Sequence, residues 1–227
     1  MTEENVRRDY WEENIGGFAG FYDRKSEERI LAPAGLAWLY KRLLFPIEKR
    51  YMKVRYDLVS RYLERHVHEG TVAADVGCGD GIFTRMMVER GAGKVYALDF
   101  TESALELTRQ RLGPRETERV TFIHSDISKA PIPQVEVAIA IGVLVYVNDV
   151  EAFFANVLPN TQRLLVNFVS ADNLLNRIRR RLTVLDVRRL TYQRMPEIES
   201  VLDRYGFVVT QVDPLATGFV VQTERRP

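Results

Sequence analysis

Between residues 72 and 169 the chain alternates short apolar runs with amphipathic stretches. VAADV (72–76) enters a glycine-rich turn and reads as a buried strand. Ile82, Phe83, Met86 and Met87 then recur at helical spacing up to Arg90, and Gly91 stands where a helix stops. KVYALDF (94–100) predicts a second strand, and residues 102–112 a helix that Thr101 can cap, with Ser103-x-x-Glu106 as a capping box. VTFIHSD (120–126) predicts a third strand. EVAIAIGVL (136–144), apolar on both faces, predicts a central fourth. Residues 149–158 read as a helix and RLLVNFV (163–169) as a fifth strand. Pro196 suits the first turn of a helix that runs to Tyr205, with Gly206 as its stop. FVVTQVD (207–213) and GFVVQTE (218–224) lie too close together for a crossover, so they predict an antiparallel pair. Strands that alternate with helices of this length mean βαβ units and a doubly wound, mostly parallel sheet. Residues 1–68 are helical in pattern and form a separate N-terminal segment, with residues 69–227 as the core.

Composition narrows the function classes. Lys plus Arg number 32 against 31 Asp plus Glu, which disfavours a general polyanion binder and so nucleic acid. One cysteine, Cys78, forbids an intrachain disulfide, and with three histidines it argues against a metal site of the Cys/His type. The first residues, MTEENVRRDYWEEN, lack the apolar stretch of a signal peptide, and no run of about 18 apolar residues occurs. A cytoplasmic protein is the expectation.

The chemistry concentrates at Asp75-Val76-Gly77-Cys78-Gly79-Asp80-Gly81, at the carboxyl end of the first strand. Glycines allow a tight turn and close approach of a ligand to the backbone. Asp99 ends the second strand about twenty residues on, where a carboxylate grips ribose hydroxyls, and Asp126 ends the third. A dinucleotide fingerprint G-x-G-x-x-G/A would place a small residue at Ile82. Asp75 would also sit poorly beside a pyrophosphate but well near a cation. A ribose, an adenine and a cationic amino-acid tail together describe S-adenosylmethionine.

DVGCGDG (75–81), ALDF (97–100) and HSDI (124–127) resemble, in order, the motifs of class I S-adenosylmethionine-dependent methyltransferases, over about residues 70–223. The resemblance implies a Rossmann-like doubly wound seven-stranded α/β sheet of order 3-2-1-4-5-7-6, its last strand antiparallel, beneath an N-terminal helical lid. It implies that Asp75, Gly77, Cys78 and Gly79 border the methionine part and that Asp99 holds the ribose. It further implies that Phe100 packs on adenine, Asp126 accepts from its amino group, Ile127 flanks the ring, and Gly142 lines the methionine side. YWEENIGGFAGFYDRK (10–25) and the terminal GFVVTQ and TGFVVQTE are similar, more distantly, to methyltransferases of bacterial glycan and natural-product clusters and to magnesium-protoporphyrin O-methyltransferases. Tyr22 matches the position where related enzymes lay an aromatic residue over the cofactor; the plain alternative is a packing role.

Beyond the motifs, Arg55 can pair the methionine carboxylate bidentately or stand solvated on a helix. Residues 30–56 mix Leu, Trp, Phe and Tyr with six Lys and Arg. Amphipathic packing explains them, and so would a lipid-linked substrate or peripheral contact with an anionic membrane. Arg177, Arg179, Arg180, Arg181, Arg188, Arg189 and Arg194 face one acid, Asp186, in a window after the fifth strand. That cluster suits an acceptor bearing phosphate or carboxylate, or else is a solvated face. For a hydroxyl acceptor the candidate catalytic groups are Tyr146 and Tyr22, although a tyrosine's high pKa makes neither an obvious base. His124 is expected to turn toward the core, and Cys78 to fill a tight turn rather than act through its thiol. The expectation is a methyltransferase acting on a small-molecule or lipid-linked acceptor at O or N. The competing readings are a non-catalytic binder of S-adenosylmethionine or S-adenosylhomocysteine, and an NAD-dependent oxidoreductase.

Overall fold

The computed structural model describes residues 11–12, 45–174, 176–177 and 190–227. Seven strands form one sheet in the order β3-β2-β1-β4-β5-β7-β6. They are β1 (Val72–Val76), β2 (Lys94–Asp99), β3 (Val120–His124), β4 (Val137–Ala140), β5 (Arg163–Val169), β6 (Phe207–Leu215) and β7 (Gly218–Arg225). β1 to β5 are mutually parallel, and β7 runs antiparallel to both β5 and β6. The helices are α1 (Phe45–His66), α2 (Ile82–Glu89), α3 (Glu102–Arg111), α4 (Pro114–Thr117), α5 (Val150–Val157) and α6 (Met195–Arg204).

The pleat sorts the core into two layers, because successive strand residues point to opposite faces. Ala73, Val137, Ile139 and Leu165 pack with Leu58, Tyr62 and Leu63 of α1, Phe83 and Met87 of α2, and Leu105 of α3. Ala74, Ala138, Ala140, Leu164 and Val166 pack with Phe153 and Phe154 of α5 and Ile198 and Leu202 of α6. The central strands are therefore apolar on both sides, as their sequence requires.

Three local expectations change. β4 ends at Ala140, short of the expected Leu144: Gly142 takes a φ of 82°, which no strand tolerates, and Leu144–Tyr146 winds into a 3-10 turn. Thr101 precedes α3 but its hydroxyl does not cap it; it donates to Asp99 Oδ1 at 2.9 Å. His124 does not enter the core. It is exposed, with Nε2 3.0 Å from the Phe100 carbonyl and Nδ1 3.4 Å from Glu102. Among the described residues no helix is long and apolar enough to cross a membrane.

Candidate active site

β1 leads straight into the glycine turn at the sheet's reversal point, between β2 and β4. Gly77, Gly79 and Gly81 all adopt positive φ, at 71°, 56° and 76°. A Cβ on Gly77 would overlap Val143 Cγ2, and one on Gly81 would lie 2.7 Å from Thr108 Cγ2 and 2.8 Å from its Cα. Nothing stands within 4 Å of a Cβ at Gly79, so that face of the turn is open. The N–H groups of Gly77 and Cys78 both donate to the Leu98 carbonyl, at 2.8 and 3.0 Å, which ties the turn to β2.

Two buried carboxyls lie beneath this turn. Asp75 is 2 % exposed, and its Oδ2 accepts from the Thr84 hydroxyl at 2.7 Å. Burial pushes its pKa up to about 7; the Thr84 hydrogen bond opposes this, and the neighbouring charge of Asp99 adds to it. Asp99 accepts from the Gly79 N–H at 3.1 Å and from the Thr101 N–H and hydroxyl at 3.0 and 2.9 Å. Burial raises its pKa too, against those hydrogen bonds. The floor of the crevice is thus anionic and poorly solvated, an environment that favours a cation and repels a pyrophosphate.

The structure places the other candidates around this floor. Cys78 is buried, with Sγ 3.4 Å from the Thr108 hydroxyl. Burial, then the charges of Asp99 and Asp75, raises its thiol well above the usual range, which leaves it no thiolate chemistry. Phe100 is half-buried beside Asp99. Asp126 lies beyond β3 and is locally engaged: Oδ1 accepts from the Ser128 N–H at 3.0 Å, and Oδ2 pairs with Lys129 at 2.9 Å. Ile127 packs on the α5 side of the core, and its carbonyl accepts from Asn156 Nδ2 at 2.8 Å. Gly142 donates to Asn167 Oδ1 at 2.6 Å, and Arg55 Nη1 of α1 lies 3.8 Å from where its Cβ would be. Arg55 therefore reaches the end of β4 from the far side of the crevice. Tyr146 meets Trp11 edge to face, with ring centroids 5.0 Å apart. Tyr22 lies outside the described residues, as does most of the expected lid over residues 1–68 and of the Arg-rich window.

That window is nonetheless anchored at both ends. Asn176 Nδ2 donates to the carbonyls of Ser170 and Thr217, each at 2.7 Å. On the return, Thr191 donates through its N–H to Val145 O at 2.7 Å and through its hydroxyl to Leu144 O at 2.9 Å. The first end sits just beyond β5 and before β7, and the second on the 3-10 turn after β4 that carries Tyr146.

Sequence reading missed Thr84, Thr108 and Asn167, the fully or nearly buried polar groups that orient Asp75, the turn and Gly142. Thr84 and Thr108 were detectable as hydroxyls on the apolar stripes of α2 and α3. Trp11 and Glu12 carried no such signal.

Residues 73–163 match the family described as a methyltransferase domain. The chain is similar to demethylmenaquinone methyltransferase of Geobacillus stearothermophilus, 34% identical over 87 residues, which cover 37% of this chain and 36% of that protein. It is also similar to malonyl-[acyl-carrier protein] O-methyltransferase of Serratia marcescens, 36% identical over 78 residues, 34% of this chain and 28% of that protein. The alignments span about a third of these relatives. In three dimensions the chain is similar to magnesium protoporphyrin IX methyltransferase from Synechocystis PCC 6803 with bound SAH, at a TM-score of 0.71 and 16% identity. That superposition covers 99% of this chain and 100% of the other.

Proposed function

We propose that this chain, whose core is a class I S-adenosylmethionine-dependent methyltransferase domain, transfers a methyl group to an oxygen or nitrogen of a small-molecule or lipid-linked acceptor that carries an anionic group. The carrying observation is the buried pair Asp75 and Asp99 beneath an open glycine turn. Burying two carboxyls side by side is costly unless a cationic ligand answers them. S-adenosylmethionine, when bound, supplies a methyl group on a positively charged sulfur that is itself a good leaving group. The chain's residues would hold and orient it: Asp99 at the ribose, Gly77, Cys78 and Gly79 along the methionine part, and Asp75 through its field. Gly142 and Arg55 would meet the carboxylate end, and Phe100, Asp126 and Ile127 the adenine. Tyr146 would shape the acceptor wall, joined by Tyr22 from the N-terminal segment. The protein's task is then alignment and exclusion of water rather than proton transfer.

In this reading residues 1–68 are the lid and substrate segment, and residues 69–227 the cofactor-binding core. An anionic acceptor is supported by the arginines clustered between positions 177 and 194 of the sequence, which suit phosphate or carboxylate. A small-molecule acceptor is in keeping with the names of some similar proteins, such as demethylmenaquinone methyltransferase and magnesium protoporphyrin IX methyltransferase, whereas others are named for ribosomal proteins.

Calorimetry with S-adenosylmethionine, S-adenosylhomocysteine and NAD tests this. The wild type should bind the first two and not the third. Asp99→Asn should weaken both by about tenfold or more, because the amide replaces one acceptor oxygen by a donor. Binding of NAD alone, or of none of the three, would overturn the reading.

A further inference from the structure

The described residues closest to the N-terminus, Trp11 and Glu12, are clasped to opposite sides of the crevice. The Glu12 carboxylate caps α3: Oε1 accepts from the Glu102 N–H at 2.9 Å, and Oε2 from the Ser103 N–H at 3.2 Å and the Ser103 hydroxyl at 2.5 Å. An anion at these unpaired N–H groups gains from both the hydrogen bonds and the helix dipole. Burial works against ionisation of Glu12, but the Ser103 hydroxyl, the two N–H groups and His124 outweigh it and hold its pKa below the usual value. One residue away, Trp11 packs edge to face on Tyr146 with the ring planes at 74°.

These contacts lie on two different strand ends. α3 follows β2 and Asp99, whereas Tyr146 follows β4 and Gly142. β2 and β4 flank β1, whose end carries the glycine turn. Two strand spacings amount to about 9.6 Å. Adjacent Cα atoms about 3.8 Å apart, with a tryptophan reaching one way and a glutamate the other, cover that distance. We infer that Trp11-Glu12 is a strap drawn across the mouth of the cofactor crevice, with Glu12 the positioning residue that fastens it to α3 and thereby prolongs residence of the bound cofactor. Trp11 passes the fastening on to the acceptor wall at Tyr146, so closure over the cofactor and shaping of the acceptor side occur together. This inference rests on the methyltransferase reading and adds to it a residue that need not touch the ligand.

The test uses the full chain and S-adenosylhomocysteine. Trp38→Phe leaves Trp11 as the sole tryptophan, since the sequence has two. Its emission should change when the ligand binds. Dissociation of tritiated S-adenosylhomocysteine into unlabelled excess should be about tenfold faster in Glu12→Ala, because several charge-assisted hydrogen bonds are lost together. Ser103→Ala should speed it less, and the double variant should show no additive effect, since both changes remove one clasp. Glu12→Gln, which retains one acceptor oxygen for the cap, should lie between wild type and Glu12→Ala; it serves as the test variant if the alanine variant does not fold. Dissociation within twofold of wild type in folded Glu12 variants, or Trp11 emission indifferent to the ligand, would overturn the strap. A wild type that fails to bind S-adenosylhomocysteine in calorimetry would overturn the strap and the cofactor reading together, whereas binding with unchanged dissociation would overturn the strap alone.

Discussion

Asp75 is placed to couple stability to pH and, in the proposed reading, ligand choice as well. Its pKa of about 7 in the folded protein stands above an ordinary 3.8. Between those values the folded state keeps a proton that the unfolded chain has released. Its contribution to stability is therefore complete below the ordinary value and lost as pH rises through about 7. Asp75→Asn keeps an acceptor for the Thr84 hydroxyl without the charge, so it should stabilise the ligand-free protein by about 2 kcal/mol at pH 8. The gain should shrink as pH falls through about 7, be smaller at pH 5, where only the unfolded chain is ionised at this position, and vanish below the ordinary 3.8; urea unfolding at pH 8 and pH 5 measures the decline. Ligand binding should show the opposite face of the same charge. S-adenosylmethionine and S-adenosylhomocysteine share every titrating group but differ by the sulfonium charge. Their affinity ratio should rise about five- to tenfold between pH 6 and pH 8 in the wild type and stay flat in Asp75→Asn. A flat ratio in the wild type would detach Asp75 from the methyl-bearing sulfur. The motif acids 75 and 99 were legible because their positions at strand ends are fixed by the alternation of apolar runs. Asp126, expected to end the third strand, falls two residues beyond β3, and its binding to Ser128 and Lys129 depends on the turn that follows, which no spacing rule encodes.

At the scale of elements, the glycine turn separates two requirements that sequence alone merges. Gly79 and Gly81 both need positive φ, which costs an alanine about 1 to 2 kcal/mol. At Gly81 the added methyl also meets Thr108, including its backbone Cα at 2.8 Å, and helix α3 cannot withdraw without releasing the Thr108 bonds to Cys78 and Gly79. Gly81→Ala should thus destabilise the fold by about 2 to 4 kcal/mol. Gly79→Ala should cost only about 1 kcal/mol in stability, yet weaken S-adenosylhomocysteine by tenfold or more, since its methyl enters the open face of the turn. Thermal unfolding and calorimetry on the pair read the two effects apart; equal binding losses would mean that Gly79 does not face the ligand. The strands and helices around this turn were readable, because their apolar periodicity is local. β5 matches its expected bounds, and the terminal hairpin follows from a short gap. The end of β4 was not readable, because EVAIAIGVL is uniformly apolar and only the φ of Gly142, fixed by Asn167 on the next strand, breaks it. The cap of α3 failed for a related reason: Asp99 takes the Thr101 hydroxyl, and an acid from far back along the chain takes the helix terminus.

At the scale of the whole molecule, the hydrophobic core and the proposed strap lie in different parts of the chain. Both hydrophobic clusters, as far as the described residues show them, draw on the sheet and its flanking helices from Tyr56 onward, with Tyr62, Phe153, Phe154 and Phe168 among the largest fully buried side chains. Trp11 and Glu12 meet this body at its rim, on Tyr146 and the start of α3. Their stretch resembles that of other methyltransferases, but their contacts could not be read from it, because their partners lie about 90 and 135 positions away and meet them only once the sheet has formed. A chain lacking residues 1–12 should therefore unfold in one cooperative transition, with a midpoint lowered by no more than about 5 °C, since the described contacts it loses lie at the rim and are worth about 1 kcal/mol. The same chain should bind S-adenosylhomocysteine with a dissociation rate like that of Glu12→Ala, and further substitution of Ser103 should leave that rate unchanged. Calorimetric melting and ligand release on the shortened chain give the two readings. A large loss of melting temperature would make the N-terminal residues part of the folding core, and normal release would remove their role in closure.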